Sequence, residues 1–137
     1  MSRPIVVSLS HPQLLTLRSA SGSDSAPHLI QTKVSAEQGK APAGVFTQPY
    51  VTQLVLLALE EALERGVIKD ADVTEEKLEG FLSRFGRRFY KLPERSDKKI
   101  VLERRGEKIP ASVRNGDGSV EVGISRAGTE VFSLRWE

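Results

Sequence analysis

Cysteine is absent from the 137 residues, so disulfides, thiolate metal ligands and thiol nucleophiles are excluded. That absence fits a reducing compartment. Histidine occurs twice, at His11 and His28, too few for the chain to build a histidine-rich metal site by itself. No apolar run reaches the length that crosses a bilayer. There is no strong charge of one sign either. The formal net charge is +2, with Lys and Arg interleaved among Glu and Asp, so no phosphate-binding stripe forms. Aromatics make up 6% of residues and show no base-stacking signature. Gly-rich phosphate loops, internal repeats and low-complexity tracts are missing as well.

What is present has the makings of one modest domain: 39% hydrophobic and 28% charged residues. Residues 1–21 read as an atypical or disordered N-terminal segment, rich in Ser and Leu, with Arg3 and Arg18 and no acid. Short strands are expected at Pro4–Val7 and at Leu14–Leu17. Residues 29–46 read as a loop, because polar and breaker residues occur there without a period. A helix is expected over 49–65. Val51, Leu54, Val55, Ala58, Leu59, Ala62 and Leu63 recur at helical spacing, with Thr47 as N-cap, Pro49 in the first turn and Gly66 as C-terminal stop. A second helix is expected over 75–86, capped by Thr74, striped by Leu78, Phe81, Leu82 and Phe85, and ended by Gly86. Short strands follow at Ile100–Leu102, Glu107–Val113, Val120–Val122 and Val131–Trp136, with a turn at Asn115–Gly118. Taken alone, the chain is an α+β protein with two main helices and several short strands.

One stretch carries possible chemistry: Gly22-Ser23-Asp24-Ser25-Ala26-Pro27-His28. A carboxylate and an imidazole stand four residues apart, and Pro27 opposes a helix between them. The segment is either a solvated surface turn or a turn aiming two ionisable groups at one space, as proton transfer or metal ligation needs.

Four stretches in order resemble the C-terminal part of dihydroorotase, a metal-dependent amidohydrolase of pyrimidine biosynthesis. They are Ser23–His28, Ala43-Gly44-Val45-Phe46-Thr47-Gln48-Pro49, Phe85–Pro93, and Arg126–Glu130 with Leu134-Arg135-Trp136. The resemblance covers residues 22–137 and is closest to the single-function bacterial and fungal form. It implies an α/β (β/α)8-barrel family, with Asp24 at the end of the last barrel strand on the catalytic face. It assigns Asp24 as general acid/base and metal ligand, His28 as a contact of the substrate carboxylate, and Ala43 as a backbone contact of the substrate. The implied reaction is the reversible closure of N-carbamoyl-L-aspartate to L-dihydroorotate at a two-zinc centre. A small-molecule substrate, a cytoplasmic setting, a homodimer in the intact enzyme, and no nucleic-acid or membrane partner go with it.

The family's His-x-His pair, carboxylated Lys and further histidines should precede Asp24. Here only His11 does, within His11-Pro12-Gln13. The expectation is therefore a truncated form lacking most metal ligands, inactive and without zinc when isolated. The competing reading is a non-catalytic α+β module that binds a protein through the apolar face of the 49–65 helix.

Overall fold

The computed structural model describes residues 5–7, 20–35, 40, 42–93 and 97–137. In chain order the elements are β1 (Ile5–Val7), α1 (Ile30–Val34), α2 (Val51–Glu64), α3 (Glu75–Glu79), α4 (Phe85–Phe89), β2 (Ile100–Lys108), β3 (Ser112–Arg114), β4 (Glu121–Gly123) and β5 (Glu130–Trp136). The α+β expectation is met, with one short strand, then the helices, then four further strands. The expected strand at Leu14–Leu17 lies outside the described residues, as does His11. Two compact units share the chain. The smaller is Ser23–Val51 with Gly106–Val131, and the larger includes Thr52–Arg105 and Phe132–Glu137.

In the larger unit, β1, β2 and β5 form a sheet in that order, with β1 antiparallel to β2 and Ile5 opposite Leu102. Ile100, Val101 and Leu102 are all buried, which explains an unbroken apolar run where a one-sided strand would alternate. Leu56, Ile100, Leu102 and Phe132 make the core, with Leu59, Leu78 and Leu134 packed on it. The strand outlasts its apolar segment. Glu103–Lys108 continue β2, and Arg104 lies 4.4 Å above the Phe132 ring while pairing with Glu60.

The end of α2 follows the expected chemistry. Gly66 sits at φ +67, its N–H reaches Leu63 O, and Val67 N–H reaches Ala62 O, the two bonds of a Schellman stop. Thr74 caps α3 by accepting from Lys77 N at 3.3 Å. Two expectations change. The second helix does not stop at Gly86. It passes from α3 through a π turn at Gly80–Arg84 and on to Phe89. Gly80 permits this, since a Cβ there would sit 2.7 Å from the Phe85 ring. The stop is again a Schellman pair, Leu92 N to Arg87 O and Lys91 N to Arg88 O, but the left-handed residue is Lys91 at φ 55. A lysine accepts that backbone at a cost of about 1–2 kcal/mol, so glycine spacing misplaces the end.

The third change is inside 29–46. Ile30–Val34 form α1, one helical turn too short to show a period. It is fixed by neighbours, because Leu29 bridges to Val122 and α1 packs on β4. In the smaller unit β3 and β4 pair with Val113 opposite Val122, and the Asn115–Gly118 turn stands where expected. Asn115 Oδ1 accepts from Val120 N at 2.9 Å, and Asp117 Oδ1 accepts from Ser119 N at 2.9 Å.

Two carboxyls of this hairpin sit below their ordinary range. Asp117 is held down by the Ser119 hydroxyl and backbone, and Glu121 by the Ser112 hydroxyl and the Arg114 guanidinium. A depressed folded-state value stabilises above the ordinary carboxylate range and is lost as pH falls through it. The thermal midpoint of the hairpin is therefore expected to drop as pH falls from about 6 to about 3. Glu121→Gln should flatten that dependence, and an unchanged slope would show that the contacts do not form in solution.

Candidate functional site

The Ser23–His28 turn, α1 and the 42–47 segment belong to one compact unit. Asp24 is exposed and stands at φ 43, a left-handed backbone that Asp tolerates better than most residues. Its neighbour Ser25 anchors the turn. Ser25 Oγ accepts from Thr47 N at 3.2 Å and from Gln48 N at 2.9 Å. These are donors at the start of the 3-10 turn Gln48–Tyr50 that leads into α2. Thr47, expected as the N-cap, makes no capping bond. Its hydroxyl lies 3.4 Å from Ser25 Oγ and donates to Ser23 O at 3.5 Å. The cap thus comes from a residue more than twenty positions upstream. Tyr50 closes the turn. Burial, and then the nearby Glu107 carboxylate, push its hydroxyl above its usual value, so it stays protonated and donates to Glu107.

A backbone bond from Ala26 N to Val45 O at 2.8 Å ties the turn to the next segment. Gly44, at φ +98, lies against Ala26 there, and a Cβ on Gly44 would be 2.5 Å from that of Ala26. Phe46 pairs with Ser125 in both directions, N to Ser125 Oγ at 3.1 Å and O from Ser125 N at 3.0 Å.

His28 and Ala43 are brought together: the half-buried His28 ring donates from Nε2 to Ala43 O at 2.9 Å. Because a carbonyl only accepts, the ring proton is on Nε2. A neutral ring then offers Nδ1 as an acceptor, and an anion at Nδ1 requires the doubly protonated ring. Lys33 Nζ donates to the carbonyls on either side, Pro42 O and Gly44 O, the latter at 2.9 Å. No hydrogen bond among the described residues joins Asp24 to His28 or Ala43.

Residue spacing singles out Asp24 and His28, and the family resemblance adds Ala43; neither marks Ser25, Lys33 or Gly44. Ser25 lies inside the motif, yet nothing local marks it as a cap for a distant turn. Lys33 lies in a segment read as loop.

Metal fit is testable on the donor set. No group of three or more His, Asp or Glu residues among the described ones could hold a metal ion. Asp24 alone supplies one carboxylate, whereas zinc takes three or four ligands per ion. The described residues do not fit a two-zinc centre.

Away from this site, the larger unit has an apolar cavity of about 270 Å³ lined by Val55, Leu59, Val73, Leu78 and Phe81, with Asp72 and Lys77 also lining it. No helix among the described residues is long and apolar enough to cross a membrane.

No family model matches the chain. A dihydroorotase of Neisseria meningitidis serogroup C is 37% identical over 110 residues, 80% of this chain and 27% of that protein. The Saccharomyces cerevisiae dihydroorotase is 32% identical over 122 residues. Its crystal structure with 5-fluoroorotic acid superposes with a TM-score of 0.63 at 30% identity, covering 86% of this chain and 30% of that one. The chain is a dihydroorotase relative. It spans about 27–35% of the length of the curated dihydroorotases it matches. The dihydroorotase of Campylobacter jejuni, at 24% identity and a TM-score of 0.57, shares the fold.

Proposed function

We propose that the chain carries the substrate-gripping part of a dihydroorotase-type amidohydrolase site. The ligands are L-dihydroorotate, a cyclic amide, and its open form N-carbamoyl-L-aspartate. The observation that carries this reading is the clasp of His28 on the Ala43 carbonyl, which joins two residues singled out from the sequence for the same ligand. The 5-fluoroorotic acid held by the yeast dihydroorotase belongs to the same class of ring.

In this reading the loop N–H groups at Ala43 and the His28 imidazole hold the ligand. Asp24, exposed beside them in sequence, moves the proton. During hydrolysis an oxygen nucleophile adds to the ring amide carbon, the C–N bond breaks, and Asp24 carries a proton to the leaving nitrogen. Closure runs the same steps backwards. The described residues include no metal-holding group, so zinc chemistry is left to ligands outside them. The reading also places the protein in the cytoplasm, acting on a small molecule and not on nucleic acid or membrane, with a homodimer as the assembly of the whole enzyme.

Two measurements test it. Titrating the 15N-labelled chain with L-dihydroorotate should shift the Ala43 and Gly44 amides and the His28 ring. Shifts confined to Val55, Leu78 and Phe81, or none at saturating ligand, would overturn the reading. The purified chain with added zinc should not turn over L-dihydroorotate, and zinc-dependent turnover would show that its own residues complete the centre.

A further inference from the structure

We propose that Lys33 is a positioning residue that sets the direction of the Ala43 N–H donor and biases the loop toward anionic ligands. This rests on the function proposed above.

The starting point is peptide geometry. In a planar trans peptide the carbonyl of one residue and the N–H of the next point opposite ways. Lys33 Nζ binds Pro42 O, so the Ala43 N–H is turned away from Lys33. His28 binds Ala43 O, so the Gly44 N–H is turned away from His28. Lys33 also takes Gly44 O at 2.9 Å, so three consecutive carbonyls are engaged. With these three acceptors engaged, the Ala43 N–H is left facing away from Lys33 and the Gly44 N–H away from His28. Gly44 at φ +98 is conformationally permissive, so these side-chain contacts act together with the Ala26 N to Val45 O bond to hold the shape.

Charge adds a second effect. An ammonium on the Pro42 carbonyl polarises that peptide and makes the Ala43 N–H a better donor. An anion at that donor also feels the lysine charge, screened by solvent because Ala43 is exposed. A carboxylate ligand gains from both, and a neutral amide gains little. Lys33 itself is carried by α1, which the Leu29 to Val122 bridge and packing on β4 hold in place. The clamp therefore has a fixed base.

The experiment compares the full chain with its Lys33→Met and Lys33→Arg variants. Against L-dihydroorotate, Lys33→Met should bind about tenfold more weakly, at an unchanged melting temperature. Lys33→Arg should recover part of that loss, because its planar fork also reaches two carbonyls. Affinity for uracil, the neutral ring without the carboxylate, should be unaffected by either change. Equal binding of L-dihydroorotate by Lys33→Met and the unaltered chain would overturn the proposal. If the unaltered chain binds no ligand, the function proposed above fails, and backbone relaxation decides the role of Lys33. The 15N heteronuclear NOE at Ala43 and Gly44 should fall in Lys33→Met and return in Lys33→Arg, and an unchanged NOE would overturn the clamp.

Discussion

Gly44→Ala is expected to destabilise the smaller unit by about 3 kcal/mol and to abolish ligand-induced shifts at Ala43. Two penalties add. A left-handed backbone costs a residue with a side chain about 1–2 kcal/mol. The new Cβ would also lie 2.5 Å from the Ala26 Cβ, and overpacking of that kind costs about 1–3 kcal/mol. Ala26 cannot step aside, because its N–H is bound to Val45 O and the next residue back, Ser25, holds the turn before α2. The loop must therefore move, and the Pro42, Ala43 and Gly44 carbonyls move with it. Gly66→Ala is the control. It shares the positive φ, at +67, but meets nothing within 4 Å, so about 1 kcal/mol is expected. Denaturant midpoints of both variants check this. Equal losses would show that the Gly44–Ala26 approach is looser than 2.5 Å.

The second large effect is expected from Leu102→Ala, at about 3–4 kcal/mol. Leu102 has no exposure and touches the core of Leu56, Ile100 and Phe132. It sits on β2, the middle strand of its sheet, where neighbours on both sides resist collapse into the vacated space. A domain of this size is held by about 5–15 kcal/mol, so the loss is a large share of the total. Urea unfolding should show a lower midpoint at unchanged slope. Val113→Ala, exposed on the hairpin, should cost under about 0.5 kcal/mol. A Leu102→Ala loss below about 1 kcal/mol would show a core that repacks freely.

Legibility in the sequence follows the range of the interactions. Helix α2, the Gly66 stop and the Thr74 cap are encoded within a few residues of themselves, so periodicity and capping rules find them. The hairpin turn at Asn115–Gly118 is local in the same way. The helix end at Lys91 escapes those rules because a lysine takes a position that they reserve for glycine. The turn at Ile30–Val34 escapes them because its support comes from β4, some ninety positions later. The outer half of β2 is hidden because it is charged, and its partners are Glu60 and Phe132. At the site, the motif points to Asp24, His28 and Ala43. The side chains that hold the surrounding segments in place, Ser25, Lys33 and Ser125, act across 9 to 79 positions and leave no mark in spacing.

The distant cap also governs the order of events during folding. An ordinary helix start is closed by its own neighbour and can form in isolation. Here the Thr47 and Gln48 amides wait for a serine that arrives only after a segment of more than twenty residues has looped back. Loop closure of that length costs little more than a shorter one, but it must precede the bond. Solvent deuterium should therefore enter those two amides whenever the Asp24 turn lifts away, which makes them a clock for the assembly of the site.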